Sequence, residues 1–138
     1  MSETVFASPE EAEDAFYQAF ETANLEAMMG VWLDADYVEC IHPMSDRLMG
    51  FDAIRASWQE IFMNNTEILF ETIETRQIKH DNLAIHVVNE KLKIKDNQQA
   101  QILATNIYEK TLTGWRMILH HASPAPHQTS DTAKPTVH

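Results

Sequence analysis

Glycine is scarce in this chain, three residues among 138, and cysteine occurs once. So few glycines cannot build phosphate-cradling loops or a dinucleotide-binding fingerprint. A lone cysteine, Cys40, can close no internal disulfide, and its place in an apolar run marks it as a small buried hydrophobe of a protein kept in the reducing cytoplasm. No stretch approaches the roughly 20 apolar residues of a membrane span, and no basic leader followed by an apolar segment is expected at the N-terminus. Basic residues number 10 against 21 acidic ones, a formal net charge of -11. That field repels phosphate backbones and anionic lipid, so neither nucleic acid nor a membrane is an expected partner. Seven histidines are present, but no HExxH pair or similar local spacing organises them, and no metal or cofactor is expected.

The length suits one domain, able to bury roughly two thirds of its unfolded surface. Ser8-Pro9-Glu10-Glu11 reads as a helix start, with Ser8 as N-cap, Pro9 in the first turn and Glu11 reaching back as the capping-box acid. Ala12, Ala15, Phe16, Ala19, Phe20 and Ala23 then give one apolar face. The early acids Glu10, Glu11, Glu13 and Asp14 read as solvated helix surface, favoured there by the helix dipole. Asn24 caps a second helix to about Leu33, with Leu25, Met28, Met29 and Trp32 inward. A strand from Tyr37 to His42 is closed by Pro43, and a loop follows. Phe51, Ile54, Trp58, Ile61 and Phe62 form the stripe of a third helix. Four long β-prone stretches come next, about residues 67–79, 83–95, 99–112 and 115–123, joined by connectors short enough for hairpins. Helices before strands imply an α+β domain with helices on one face of a bent antiparallel sheet. From residue 125 the prolines, serines and threonines read as a disordered tail.

Particular residues sharpen this. The strand end Cys40-Ile41-His42-Pro43, Gly50 leading into the Trp58 helix, and the closing run Trp115-Arg116-Met117-Ile118-Leu119-His120-His121-Ala122-Ser123-Pro124 together resemble the SnoaL-like branch of the NTF2-like superfamily, which includes ketosteroid isomerase-like proteins. The resemblance spans about residues 10–124 and implies a cone in the order ααβαββββ, three N-terminal helices packed on a curved antiparallel sheet, with a pocket at the open end. It also implies a homodimer formed through the sheet.

The expected pocket takes a small apolar ligand and gathers imidazoles from two distant stretches. His42 shares a side of its strand with Val38 and Cys40 and could act as base near neutral pH. Glu90 lies on the side of Ala84, His86 and Val88, where partial desolvation suits a carboxylate to proton transfer. His120 and His121 are neighbours and must face opposite ways. Alternation groups His121 with Met117, Leu119 and Ser123, and His120 with Ile118 and Ala122, and leaves either ring free to be the inward one. The resemblance implies His121 with Ser123. Asn106 is placed to orient a carbonyl, with Trp32, Trp58 and Tyr108 as aromatic walls. The first reading is a cofactor-independent acid/base enzyme, with His42 or Glu90 moving the proton and His121 and Asn106 polarising a carbonyl. The alternative is a module that binds a ligand or dimerises without turnover, as the association domains of calmodulin-dependent kinases do.

Overall fold

The first helix, α1 (Pro9–Thr22), starts at Ser8, whose hydroxyl accepts the Glu11 N–H at 3.1 Å. Glu11 in turn accepts the Ala7 N–H at 3.1 Å, so the reciprocal cap closes one residue further back than Ser8 itself. It ends at Ala23 in the left-handed region, with φ of 51°. Asn24 caps α2 (Leu25–Val31) by accepting the Ala27 N–H at 3.0 Å. That helix stops two residues short of the expected Leu33. Trp32 turns extended and bridges Met117, and the Leu33 N–H goes to the Met117 carbonyl at 3.0 Å.

The computed structural model describes residues 4–64 and 67–126. After α2 come β1 (Glu39–Ile41), β2 (Arg47–Met49), α3 (Phe51–Met63), β3 (Ile68–Lys79), β4 (Leu83–Ile94), β5 (Gln98–Thr111) and β6 (Gly114–Pro124). The result is the expected α+β cone, with three helices against one curved sheet of strand order β2-β1-β6-β5-β4-β3. Two details differ from the sequence reading. The loop after Pro43 contains β2, and the β1–β6 pair is parallel whereas every other pair is antiparallel.

Two bulges bend the sheet around the helices. In β3 the register slips between Glu74 and Arg76, and the Thr75 hydroxyl there donates to the Val87 carbonyl at 2.9 Å. In β6, Met117 faces Tyr108 and Leu119 faces Ile107, which leaves Ile118 without an opposite residue. The second slip decides which histidine enters the cone. Strict alternation from Met117 would carry Leu119 and His121 inward, but the extra residue resets the phase, so Met117, His120 and Ala122 are buried and His121 is exposed.

The interior joins Phe16, Met28, Val31, Trp32, Val38, Ile54 and Trp58 to the inward residues of β4, β5 and β6. Each large side chain so buried stabilises the fold by roughly 1.5–3 kcal/mol. Arg116 ties the ends of the layer together, donating to the carbonyls of Thr4 (2.6 Å), Gly30 (3.1 Å) and Thr113 (3.0 Å). Pairing of β6 with β5 continues into the expected tail as far as Ala125, whose N–H meets the Gln101 carbonyl at 2.9 Å. The rest of that tail, residues 127–138, lies outside the described residues. Among the described residues no helix is long and apolar enough to cross a membrane.

Gly114 turns β5 into β6 with φ of 100°, and a Cβ there would stand 2.7 Å from the Phe6 carbonyl oxygen. Both conformation and space exclude a side chain. Gly114→Ala is therefore expected to lose about 2 kcal/mol or more in urea unfolding. A variant as stable as the parent would show that the Phe6 bridge does not hold.

Candidate functional site

A buried hydrogen-bond network runs from α1 through β4 and β5 to β6. Glu13 and Tyr17, one turn apart on α1, lie on the helix face that also carries Phe16 and Phe20. The side-chain amide of Asn106 on β5 is the joint. Its Nδ2 donates to Glu13 Oε2 and to the Tyr17 hydroxyl, both at 3.1 Å, while its Oδ1 faces His120 Nδ1 at 2.6 Å. Because the amide hydrogens go to Glu13 and Tyr17, the network assigns the proton of His120 to Nδ1 and leaves Nε2 as the acceptor. Tyr17 donates to Glu90 Oε2 at 2.5 Å, and Tyr108 donates to Glu13 Oε2 at 2.8 Å.

The two carboxylates at the ends of this network are pushed apart. Burial raises Glu90 to about 7, and the single bond from Tyr17 does not offset it. Burial also pushes Glu13 up, but His86, Glu74, Asn106 and Tyr108 surround its oxygens and together bring it down to about 2. Glu74 beside it rises to about 8 through burial and the neighbouring Glu13 charge. His86 lies with Nδ1 3.1 Å from Glu13 Oε1 and 3.9 Å from Glu74 Oε1, and with Nε2 3.8 Å from Glu10. Burial alone would lower it, yet these three carboxylates raise it. His120 is held to about 3 by burial and by the nearby His42 and His121, so it stays neutral.

His42 occupies a separate corner. Its Nε2 lies 3.0 Å from Ser57 Oγ, and that hydroxyl gives its own hydrogen to the Ile54 carbonyl at 2.8 Å, so the imidazole Nε2 donates and Nδ1 is the acceptor. Burial lowers its pKa. Its ring meets the edge of Trp58 at 4.9 Å, and Trp58 in turn packs against Phe16, Phe20, Phe62 and His120. Trp58 is fully buried.

Glu90, Asn106, Tyr108 and His120 are thus brought together. His42 is not part of their hydrogen-bonded network, and Trp32 is core, its backbone bridged to Met117 of β6. His121 and Ser123, assigned to the site by resemblance, are exposed on the opposite face, for the reason the β6 bulge supplies. Asn106 was expected to hold a substrate carbonyl, but its hydrogens and its oxygen are engaged within the network. Glu13 corrects the reading of the early acids as solvated, for its side chain is only 6% exposed. Its signal was available: Glu13 falls within the Pro9, Ala12, Phe16, Ala19 stripe, and Tyr17 follows it by one turn.

A cavity of about 590 Å³ lies at this end of the sheet, lined by Phe70, Leu92 and Ala100 on the face of Glu90 and by Leu69, Glu71, Lys91, Lys93, Gln99 and Gln101 from the alternate positions of β3, β4 and β5. Glu90 pairs across the ladder with Thr72, and the next inward pair is Phe70 with Leu92. Glu90 itself does not line the cavity, and Phe70 and Leu92 are the lining residues nearest to it along the inward face. Leu92 also packs on the apolar patch of Ile102, Ala104 and Ala122, and Phe70 touches the Tyr17 ring at 5.4 Å.

The SnoaL-like domain family matches residues 10–127, and the chain belongs to it. A Thiobacillus denitrificans protein named for a calcium/calmodulin-dependent protein kinase type II association domain is 43% identical and superposes with a TM-score of 0.84, covering 88% of this chain and 98% of that one. A Streptomyces avermitilis protein of the NTF2-like family, named as a dehydratase, is 28% identical with a TM-score of 0.78 over 84% and 92% of the two chains. A ketosteroid isomerase-like protein from Erwinia carotovora shares the fold at 18% identity, with a TM-score of 0.71 over 85% and 94%. The Arabidopsis thaliana F-box protein SKIP8 is 29% identical over 110 residues, 78% of this chain, and the match spans 46% of its length.

The state of Glu90 can be read from stability. Its pKa rises from the ordinary 4.5 to about 7. The folded form therefore holds the proton more tightly than the unfolded chain, and this contribution is full below about 4.5 and lost as pH climbs through about 7. Glu90→Gln keeps an acceptor for Tyr17 and never ionises. It should gain on the parent as pH rises from 5 to 8.5, by at most about 3 kcal/mol, in urea titrations at each pH. A difference that stays flat across this range would show that Glu90 ionises as it does in water.

Proposed function

We propose that the protein is a cofactor-independent acid/base enzyme acting on a small, largely apolar carbonyl compound, with Glu90 as the proton carrier. One observation carries this reading. Two buried carboxyl groups joined through Tyr17 and Asn106 are held at about 7 and about 2, so one exchanges protons at neutral pH while the other stays charged. A carboxyl poised near the working pH is the efficient donor and acceptor in proton abstraction next to a carbonyl.

The substrate would enter through the cavity past Phe70 and Leu92, whose volume lies within the usual range for small-molecule sites. Tyr17 orients the Glu90 carboxyl and Asn106 orients Tyr17. Neutral His120 takes its direction from Asn106 and keeps an accepting nitrogen. The Streptomyces avermitilis relative named as a dehydratase supports acid/base chemistry on this scaffold. The chain is read as working in the cytoplasm, with Cys40 an unreactive thiol that burial pushes up to about 12.

A second reading, assembly through the sheet, draws on the Thiobacillus denitrificans relative named for an association domain. The outer face offers one rung of Ile73, Asn89, Leu103 and Ser123 across β3, β4, β5 and β6, with Ile73 and Leu103 both exposed. A second copy laid on that rung would cover them and form a homodimer. The two readings use opposite faces and can hold together.

Proton abstraction can be tested before any product is known. Incubated in D2O with a panel of steroid-like, polyketide-like and small aromatic ketones, the protein should speed exchange of α-protons for at least one, as followed by NMR. The rate should rise with pH through about 7, and Glu90→Gln should slow it at least a hundredfold. Ketones that bind but exchange no faster than in buffer would leave a ligand-binding module in place of the enzyme. For assembly, Leu103→Glu should convert dimers to monomers in sedimentation velocity without loss of helicity. A parent that sediments as a monomer, or a variant that still dimerises, would exclude the sheet face.

A further inference from the structure

At the end of the network away from Glu90, side chains from three elements converge. Glu13 of α1, Glu74 of β3 and His86 of β4 each present one ligand atom, and these lie within 4.8 Å of one another. We infer that Glu13, Glu74 and His86 form a binding site for a divalent transition cation of the zinc type. This stands apart from the role given to Glu90, and either can fail without the other.

Three features support a ligand here rather than a plain cluster of acids. The first is His86, 1% exposed, whose buried Nδ1 has no hydrogen-bond partner among the described residues. Glu13 Oε1 is 3.1 Å away, but out of line for an N–H···O bond. A buried nitrogen facing two carboxylates without a bond is a donor waiting for an acceptor of electron pairs. The second is the support behind Glu13. Tyr108 and Asn106 both bind its Oε2, which fixes the carboxylate and leaves Oε1 turned to His86, as outer-shell donors orient a carboxylate ligand on a metal. The third is access. The Glu74 side chain is 35% exposed and sits beside the β3 bulge, so it can close over an ion arriving from solvent.

Distances and donor types choose the ion. Ligands about 2.0–2.2 Å from a tetrahedral zinc stand about 3.2–3.6 Å from one another. The His86 to Glu13 separation, 3.1 Å, is already close to that, and the His86 to Glu74 separation, 3.9 Å, needs a shift of a few tenths of an ångström by the half-exposed partner. One imidazole with two carboxylates suits zinc, cobalt or manganese, whereas magnesium and calcium take oxygen donors. Three protein ligands leave a position for water on the Glu74 side. Local motif reading could not find this set, because its members are 61 and 12 residues apart in sequence and meet only through the β3–β4 pairing and the seating of α1.

The test is calorimetric titration of the full chain with zinc chloride, in a background where the tail residues His127 and His138 are replaced by alanine. One zinc per chain with micromolar or tighter Kd is expected. Glu74→Gln, at a half-exposed position that should fold normally, is expected to weaken it at least tenfold, and Glu60→Gln on exposed α3 to leave it unchanged. Cobalt in place of zinc should give visible absorption that Glu74→Gln removes, and the His86 ring should shift in NMR spectra on zinc addition. Equal zinc affinity in the parent and Glu74→Gln, zinc binding lost when the tail histidines are replaced, or magnesium bound as tightly as zinc would each overturn the assignment.

Discussion

The Asn106 side chain, with no exposed surface and hydrogen bonds to three different side chains, is the constraint on which the interior depends. An unsatisfied buried amide costs on the order of 1–3 kcal/mol per group, so the partners must arrive together or the cone is worse off than one filled with hydrocarbon. This sets the rotation of α1. Only when Glu13 and Tyr17, four residues apart, face the sheet do they meet Asn106, and that rotation also sends Phe16 against Trp58 and Phe20 against Phe70. Aromatic packing supplies most of the energy and the polar joint supplies the uniqueness.

The same joint separates the chemistry of two carboxyl groups that burial alone would treat alike. Both are desolvated and both would rise. What differs is the number of neighbours favouring the charge: His86, Glu74, Asn106 and Tyr108 around Glu13, and Tyr17 at Glu90. The hydrogen bonds run one way, from the His120 N–H through Asn106 and Tyr17 toward Glu90, and from Tyr108 and Asn106 toward Glu13. A direction of this kind keeps His120 neutral, because a second ring proton would find no acceptor in the network.

Much of this was legible in the chain, and the misses have definite causes. Ser8 and Asn24 announce their caps because the capping bond is local, and the alternation Ala84, His86, Val88, Glu90 shows its face because β4 has no bulge between those residues. The inward histidine of β6 was not legible. Met117-Ile118-Leu119 carries no glycine or other mark of a bulge, and the slip is set by pairing with β5, so a count of two cannot choose between the rings and the resemblance points to the outward one. Glu13 was misread because an acid in the first turns of a helix is stabilised by the dipole whether or not it is buried. The parallel seam between β1 and β6 joins segments about 80 residues apart, and no local pattern encodes it.

Membership of the SnoaL-like family fixes the scaffold, and solved structures at 14–18% identity share the fold. Function has to be argued from the inner wall. In this chain that wall is divided. Toward β3 and α1 it is polar and charged around Glu13, and toward the open end it is apolar around Leu92, Ile102, Ala104 and Ala122. Glu90 sits on the boundary, with Tyr17 behind it and the Phe70–Leu92 pair in front. Glu71, Lys91 and Lys93 line the cavity in front of that pair, so a molecule entering there passes charged side chains before it meets the buried Glu90 carboxyl, which burial raises to about 7.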